Sequence, residues 1–340
     1  VTLTGNALRA TGVGVGLPQG RTTTLYDFAN NFTWSLGRHS LLMGVEVKYT
    51  TATVPFLPNF GGSYTFALDT TAPAGQGQRR IFNNAPSAFS VALGDPNVAY
   101  TEWDQYYFIQ DDWKIRDNLT LNLGVRYEYT GQPINDLSNA TNARESGPQP
   151  FWNPALPFAA RTVPVIRPDY NNVAPRVGFA WSPRFGDGFM GRLVGRDQTV
   201  IRGGYAIAYD PAFYNILLNV ANSSPFSISL AATAAQTPPT SPLITFPGIF
   251  GEQTRNAVQA SGVLPIGKLD PKWLGQTIVA PDFHAPYSQQ WSFGVQRQVA
   301  RNNVAEVRYV GNHGVGLFQS VLRNPIVGVP GSATLGGLFG

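Results

Sequence analysis

Three histidines, one pair of adjacent aspartates and two glycine clusters are the residues on which chemistry would have to rest in this 340-residue chain. His39, His284 and His313 would serve a metal or acid–base site only at ligand spacing, alone or with loop carboxylates such as Asp282. That spacing is absent. His39 falls in a short turn and the other two at opposite strand ends or loops, about 30 Å away across a membrane-sized wall. Asp111 and Asp112 look like a carboxylate pair, yet neighbours on a strand point to opposite faces and cannot meet one substrate. They read instead as a charged strand end. GVGVG at 12–16 and GNHGVG at 311–316 lack the strand-to-helix setting in which glycines cradle phosphate, so they read as turn or strand-end glycines. G-x-S-x-G, H-E-x-x-H, G-x-x-x-x-G-K-[ST] and C-x-x-C do not occur. With no cysteine, neither a disulfide framework nor a thiolate metal site exists. No covalent chemistry, no metal and no cofactor is expected.

A scattered set of charges is more informative: Glu46, Lys48, Arg126, Glu128, Arg176, Arg202, Glu306 and Arg308. Each sits on the polar side of an alternating segment. The clearest is Asn118–Thr130, NLTLNLGVRYEYT, where Leu119, Leu121, Leu123, Val125, Tyr127 and Tyr129 alternate with Asn118, Thr120, Asn122, Gly124, Arg126 and Glu128. Side chains alternate across a strand, so one face is apolar and the other polar. It is about twice the usual strand length of about 5–6 residues, and it ends in tyrosines, as a transmembrane β-barrel strand does. The same test predicts strands at Thr24–Leu36, Ser40–Thr50, Tyr100–Trp113, Val173–Ser182, Thr199–Tyr209, Tyr287–Gln298 and Val304–Asn312. In a barrel the eight charges line the lumen and meet water, a plug or a solute; cross-strand structural pairing is favoured over ligand binding.

Composition agrees. Hydrophobic residues make up 43% of the chain, yet no window approaches the 18 apolar residues of a transmembrane helix, so the apolar content is spread over short alternating pieces. Charged residues are scarce at 13%, with 36 glycines and 27 prolines to serve turns and loops. The net charge of +4 is scattered rather than clustered, which excludes a nucleic-acid footprint.

Link lengths organise the strands. Short links at Gly37–His39, Ile115–Asp117 and Ala300–Asn302, and a longer one at Pro183–Gln198, alternate with connections of about 45, 40 and 75 residues, far above the compact-domain median of about 4–6. Outer-membrane barrels alternate short periplasmic turns with long extracellular loops. Trp34, Trp113 and Trp181 stand just before short links, which places them in one interfacial aromatic belt. Within the long connections, Asp210-Pro211 followed by AFYNILLNVAN predicts a capped helix, and Ser87–Leu93 a second. The proline-rich stretches around Thr237–Pro247 and Gly147–Pro157 should be irregular.

YYFIQDDWKIRDNLTLNLGVRYEY (Tyr106–Tyr129) resembles a hairpin of TonB-dependent outer-membrane receptors, in particular the Oar-like group with a carboxypeptidase-regulatory-like N-terminal domain. FANNFTWSLGRHSLLMGVEVK, NNVAPRVGFAWSP followed by TVIRGGYAIAYD, and PYSQQWSFGVQRQVARNNVAEVRYVGNHGVGLF resemble the same group, so all four hairpins are touched. The resemblance implies a plugged barrel of the roughly 22-stranded type that moves a bulky extracellular substrate with energy from the TonB complex. Expected, then, is an all-β antiparallel meander, residues 1–340, of hairpins at about 24–50, 100–130, 173–209 and 287–312 facing outer-membrane lipid. Neither plug domain, TonB box nor final aromatic-terminated strand is visible, so the segment is expected to be an internal part of the barrel. The rivals are a passive porin-like channel or surface adhesin, an outer-membrane enzyme, and a soluble β-sandwich or propeller. Uneven hairpin intervals, near residues 38, 116, 190 and 300, do not suit propeller blades.

Overall fold

A computed structural model describes residues 2–3, 16, 19–66, 88–186, 188–195, 198–210, 215–233 and 267–322. Among the described residues twelve strands are present: β1 (Thr2–Leu3), β2 (Thr22–Leu36), β3 (His39–Pro55), β4 (Ser63–Phe66), β5 (Ala88–Leu93), β6 (Asn97–Arg116), β7 (Leu119–Tyr129), β8 (Val173–Trp181), β9 (Thr199–Tyr209), β10 (Ile228–Thr233), β11 (Tyr287–Ala300) and β12 (Asn303–Val315). Eight of them form one antiparallel sheet in the order β12-β11-β9-β8-β7-β6-β3-β2. Each neighbour in the sheet is the next long strand in the chain, which is a meander. All eight predicted long strands are found, several of them longer than alternation alone implied. Among the described residues the sheet is open, with β2 and β12 at its edges.

The tight turns come out one or two residues from the expected links: Gly37–Arg38, Asp117–Asn118 and Arg301–Asn302. Gly37 takes φ +58°, the left-handed conformation that a two-residue hairpin demands and that lacks a penalty only without a Cβ. The other two turns are each preceded by a register shift, between Lys114 and Arg116 and between Gln298 and Ala300, where an extra residue increases the local twist. The fourth link holds a short helix, α3 (Phe189–Val194).

In their described residues the long connections carry α1 (Ile134–Ser146), α2 (Phe158–Arg161) and α4 (Asn215–Ala221), and strands β4, β5 and β10, which with the N-terminal β1 form a small sheet ordered β1-β4-β5-β10. The expected helix after Asp210 is found as α4; its predicted first position, Pro211, lies outside the described residues. The helix expected at 87–93 is not formed. Ala88–Leu93 is β5, paired antiparallel along its whole length with β10. A six-residue apolar run carries no period that separates strand from helix, and its partner, burying Ile228 completely, is remote in sequence. Residues 147–157 contain no strand or helix, as the prolines require; 237–247 lie outside the described residues.

One hydrophobic core lies at the long-connection end. Ala52 and Val54 of β3 and Val98 and Tyr100 of β6 pack against Ile134 and Leu137 of α1, Val163, Ile166, Phe226, and Leu217, Leu218, Val220 and Ala221 of α4. The helices and loops therefore form a cap.

Candidate functional site

Register places the eight predicted charges on one face. Glu46 opposes Tyr106, and Tyr106 opposes Glu128; Lys48 opposes Asp104. Arg126 opposes Ala174, Gly124 opposes Arg176, and Arg176 opposes Ala206. Arg202 opposes Ala180 and Gly294, Gly294 opposes Arg308, and Gln296 opposes Glu306. Directly opposed residues share a face, so the whole set projects from the same side of the sheet. The other side carries Tyr26, Phe28, Phe32 and Trp34 of β2 and their apolar counterparts on every strand, many of them exposed: Phe28 at 65%, Trp103 at 53%, Phe293 at 51%.

The charges pair along strands rather than across them. Lys48 Nζ donates to Glu46 at 2.6 Å, Arg126 Nε to Glu128 at 2.7 Å and Arg308 Nη2 to Glu306 at 2.8 Å. Residues i and i+2 lie on one face about 6–7 Å apart, a distance that long cationic side chains span easily. Tyr106 lies between two of these pairs, with the Arg126 guanidinium 4.7 Å and the Lys48 ammonium 5.4 Å from its ring centre. Arg176 and Arg202 carry no ion pair among the described residues. Small neighbours, Gly178, Gly204, Gly294, Ala180 and Ala206, leave shallow space around them. A cavity of about 340 Å³ is lined by Phe108, Gln110, Arg126, Glu128, Arg176 and Ala208. Another of about 250 Å³ is lined by Arg202, Ser292, Gln296, Glu306 and Arg308.

The cap sits on this same polar face. Along β6 the alternation runs exposed–buried from Asn97 to Asp104, with Val98, Tyr100, Glu102 and Asp104 buried and Ala99, Thr101 and Trp103 exposed. Asp104 accepts from the Gly131 backbone at 3.1 Å, and Asp136 of α1 accepts from the Thr101 backbone at 2.6 Å. The hydrophobic phase therefore changes sides at Tyr49 and Trp103. Below that level the apolar residues face outward; above it the outer face is polar and the apolar residues turn inward beneath the cap.

Inside the cap a charge cluster gathers around the fully buried Glu145 carboxylate. Glu145 accepts from Arg144 Nε at 2.9 Å, Arg161 Nη1 at 3.1 Å and the Phe151 and Trp152 backbone at 3.2 and 3.3 Å. Desolvation pulls the Arg144 guanidinium below its ordinary pKa, and the adjacent Glu145 carboxylate opposes that pull. Trp152, fully buried, donates its indole N–H to Pro225 O at 2.8 Å. None of this cluster was signalled by the sequence, because α1 (INDLSNATNARES) has no apolar stripe.

The histidines stay apart. His39 is at the tight-turn end, His284 and His313 at the cap end. His284 lies 3.4 Å from buried Asp169, while His39 donates Nδ1–H to Asp111 at 2.6 Å. Asp111 and Asp112 do face opposite ways. Asp112 accepts from Asn122 at 2.6 Å on the polar face, and Asp111 stands on the apolar one. Among the described residues no cluster of His, Asp and Glu could hold a metal ion.

Trp34, Trp113 and Trp181 all project from the apolar face and step regularly. Trp34 opposes Leu41, which opposes Asp111, so Trp113 is two residues nearer its turn. Trp113 opposes Leu121 and Leu121 opposes Phe179, so Trp181 is two residues nearer again. Two residues along for two strands across is about 6.6 Å against about 9.6 Å, a tilt of roughly 35°, within the range of barrels. A second aromatic row follows the other rim: Tyr26, Tyr49 and Trp103 in one stack, with Tyr49 and Trp103 ring centres 4.5 Å apart, then Tyr107 with Tyr127 and Tyr209 with Tyr287. This second row was legible only at Asn118–Thr130, where two tyrosines close the strand.

Comparison with known proteins supplies the family. A solved structure, the copper transporter OprC, aligns with 9% identity and a TM-score of 0.36, covering 86% of this chain and 30% of that one. The chain thus spans less than a third of that protein's length. No curated protein matches the chain. The profile of the outer membrane beta barrel domain matches residues 1–337, nearly the whole sequence, which agrees with the antiparallel meander and its apolar outer face. The chain belongs to the outer membrane beta barrel domain family and is an integral protein of the bacterial outer membrane.

Proposed function

We propose that this chain is part of the wall of a TonB-dependent receptor of the Oar-like group, which admits or exports a bulky substrate through a plugged lumen. One observation carries the reading: the described parts of the long connections fold as a cap over the charged face and leave the apolar face bare. A barrel with that arrangement has a polar interior roofed on the side of its long loops. Glu46, Lys48, Arg126, Glu128, Arg176, Arg202, Glu306 and Arg308 then line the lumen. Trp34, Trp113 and Trp181 form the belt nearest the periplasm, and the Tyr26–Trp103 row begins the outer one. The eight residue steps from Tyr26 to Trp34 span about 26 Å along the strand, or about 22 Å of depth at the tilt above, close to the apolar band of about 25 Å in such barrels. Eight strands are about a third of a 22-stranded wall, so the plug and the TonB-contacting segment belong to the remainder of the protein.

The intact protein in planar lipid bilayers distinguishes this from a passive channel. A plugged receptor shows no steady ion conductance and retains the periplasmic domain of TonB on an affinity matrix. Steady conductance without TonB retention overturns the proposal in favour of a porin-like channel.

A further inference from the structure

An arginine follows each belt tryptophan at the next turn. The sequences are WSLGR at 34–38, WKIR at 113–116 and WSPR at 181–184. The fourth hairpin preserves the spacing without a tryptophan. Ile201 opposes both Trp181 and Val295, so the position level with the belt on β11 is Arg297, and Arg301 follows it in the turn. Arg38, Arg116, Arg184 and Arg301 are all exposed. Each of the four hairpin links therefore presents the same order: an amphipathic or aromatic residue on the apolar face, then a guanidinium three or four residues beyond.

That spacing has a definite depth. Three or four residues are about 10–13 Å along a strand, hence about 8–11 Å beyond the belt at a tilt of roughly 35°. The headgroup layer outside the hydrocarbon is about 5–8 Å deep on each side, within reach of a guanidinium on its flexible stem. The guanidinium fork matches phosphate oxygens two at a time. The charge is also local to this rim. The tight turns hold one carboxylate, Asp117, 3.8 Å from Arg38, and the link 183–198 adds Asp187 and Asp197 in sequence against Arg184, Arg192 and Arg196, so cations outnumber carboxylates at this rim, whereas the cap end carries Asp95, Asp136, Asp169, Asp270 and Asp282.

We propose that Arg38, Arg116, Arg184 and Arg301 form a collar that binds the phosphates of anionic phospholipid headgroups in the leaflet beside the short turns. The proposal rests on membrane placement and is independent of what the lumen carries. An acidic protein partner would need a clustered patch, and the arginines are instead spread one to a hairpin around the wall.

The test is native mass spectrometry of the intact protein, extracted from outer membranes in mild detergent and titrated with phosphatidylglycerol or phosphatidylcholine. Phosphatidylglycerol should be retained preferentially, and the preference should fall as salt rises through the range where the Debye length shortens to about 3 Å. The variant Arg38→Gln, Arg116→Gln, Arg301→Gln should lose phosphatidylglycerol retention by about fivefold for each arginine removed, with phosphatidylcholine unchanged. The matching Arg→Lys variant should keep most of it. Equal retention of the two lipids by the native protein overturns the proposal even if the glutamine variant does not assemble. So does a glutamine variant that assembles and binds like the native protein, or one that loses binding only to an acidic polypeptide such as polyglutamate.

Discussion

Arg161 donates to Glu145 at 3.1 Å in a setting that excludes water: the Glu145 side chain is fully buried and that of Arg161 is 9% exposed. Glu145 also neutralises Arg144 and takes two backbone N–H groups, so one carboxylate closes four donors at the heart of the cap. Removing it leaves two guanidinium groups to bear the desolvation that already lowers the Arg144 pKa. Glu145→Ala should therefore destabilise the cap by about 3–5 kcal/mol, the cost of orphaning a buried charge. Hydrogen exchange should speed up across 134–166 while β7 and β8 stay protected. Unaltered exchange in α1 would refute this.

The wall was legible in the sequence and the cap was not, for a physical reason. A strand with lipid on one side and polar surroundings on the other must alternate, so Leu119–Tyr129 announces both its conformation and its faces. At the cap end that rule inverts. Val98 and Tyr100 are apolar on the polar face because α1 and α4 cover them, and the blurred alternation near Tyr100 records the change. The sign of the pattern there depends on packing between segments more than a hundred residues apart, such as β3 and α4 in one core, which periodicity cannot report. The charged site was partly legible. Faces followed from parity, but the pairing along strands, Glu46 with Lys48 and Arg126 with Glu128, depends on rotamers that the pattern leaves open.

Gly44 and Phe108 are directly opposed on the polar face, and the ring lies over the glycine so closely that a Cβ would overlap it and Asn31 Oδ1. Phe179 over Gly203 and Trp291 over Gly311 repeat the device on the apolar face, each pair again in direct register. Gly44→Val must displace the Phe108 ring in a fully paired region and should destabilise the protein by about 1–3 kcal/mol. Urea unfolding of the intact protein in lipid vesicles measures this. Adding Phe108→Ala to Gly44→Val should recover more than half of the loss, and the absence of recovery would show that the strain lies elsewhere.

Val125 and Ala206 stand on opposite faces at similar distances from the rims, which makes them a matched test of which face meets lipid. Val125 lies in the apolar row between Ile109 and Pro175; Ala206 lies beside Arg176 and Gln290. An arginine facing hydrocarbon near the midplane costs about 2–4 kcal/mol, whereas one facing a polar lumen costs little. Val125→Arg should lower the unfolding midpoint accordingly, and Ala206→Arg should leave it nearly unchanged. The reverse ranking would exchange the two faces and, with them, the lumen assignment of all eight charges.

His39 and Asp111 form the one ion pair described on the apolar face, with the His39 ring stacked on Trp113 at 5.2 Å. Asp111 Oδ1 is buried without a hydrogen-bond partner, so the carboxylate depends on His39 alone. Its strand neighbours, Leu41 and Leu123, offer no donor. Deleting the histidine should then cost more than deleting both groups. His39→Ala is expected to destabilise the protein by about 1–3 kcal/mol, the penalty for an unsatisfied polar group. His39→Leu with Asp111→Leu should be close to neutral, because two apolar side chains suit a face that meets lipid. Unfolding midpoints for His39→Leu, Asp111→Leu and the double variant close the cycle, and additive losses would show that the pair does not interact.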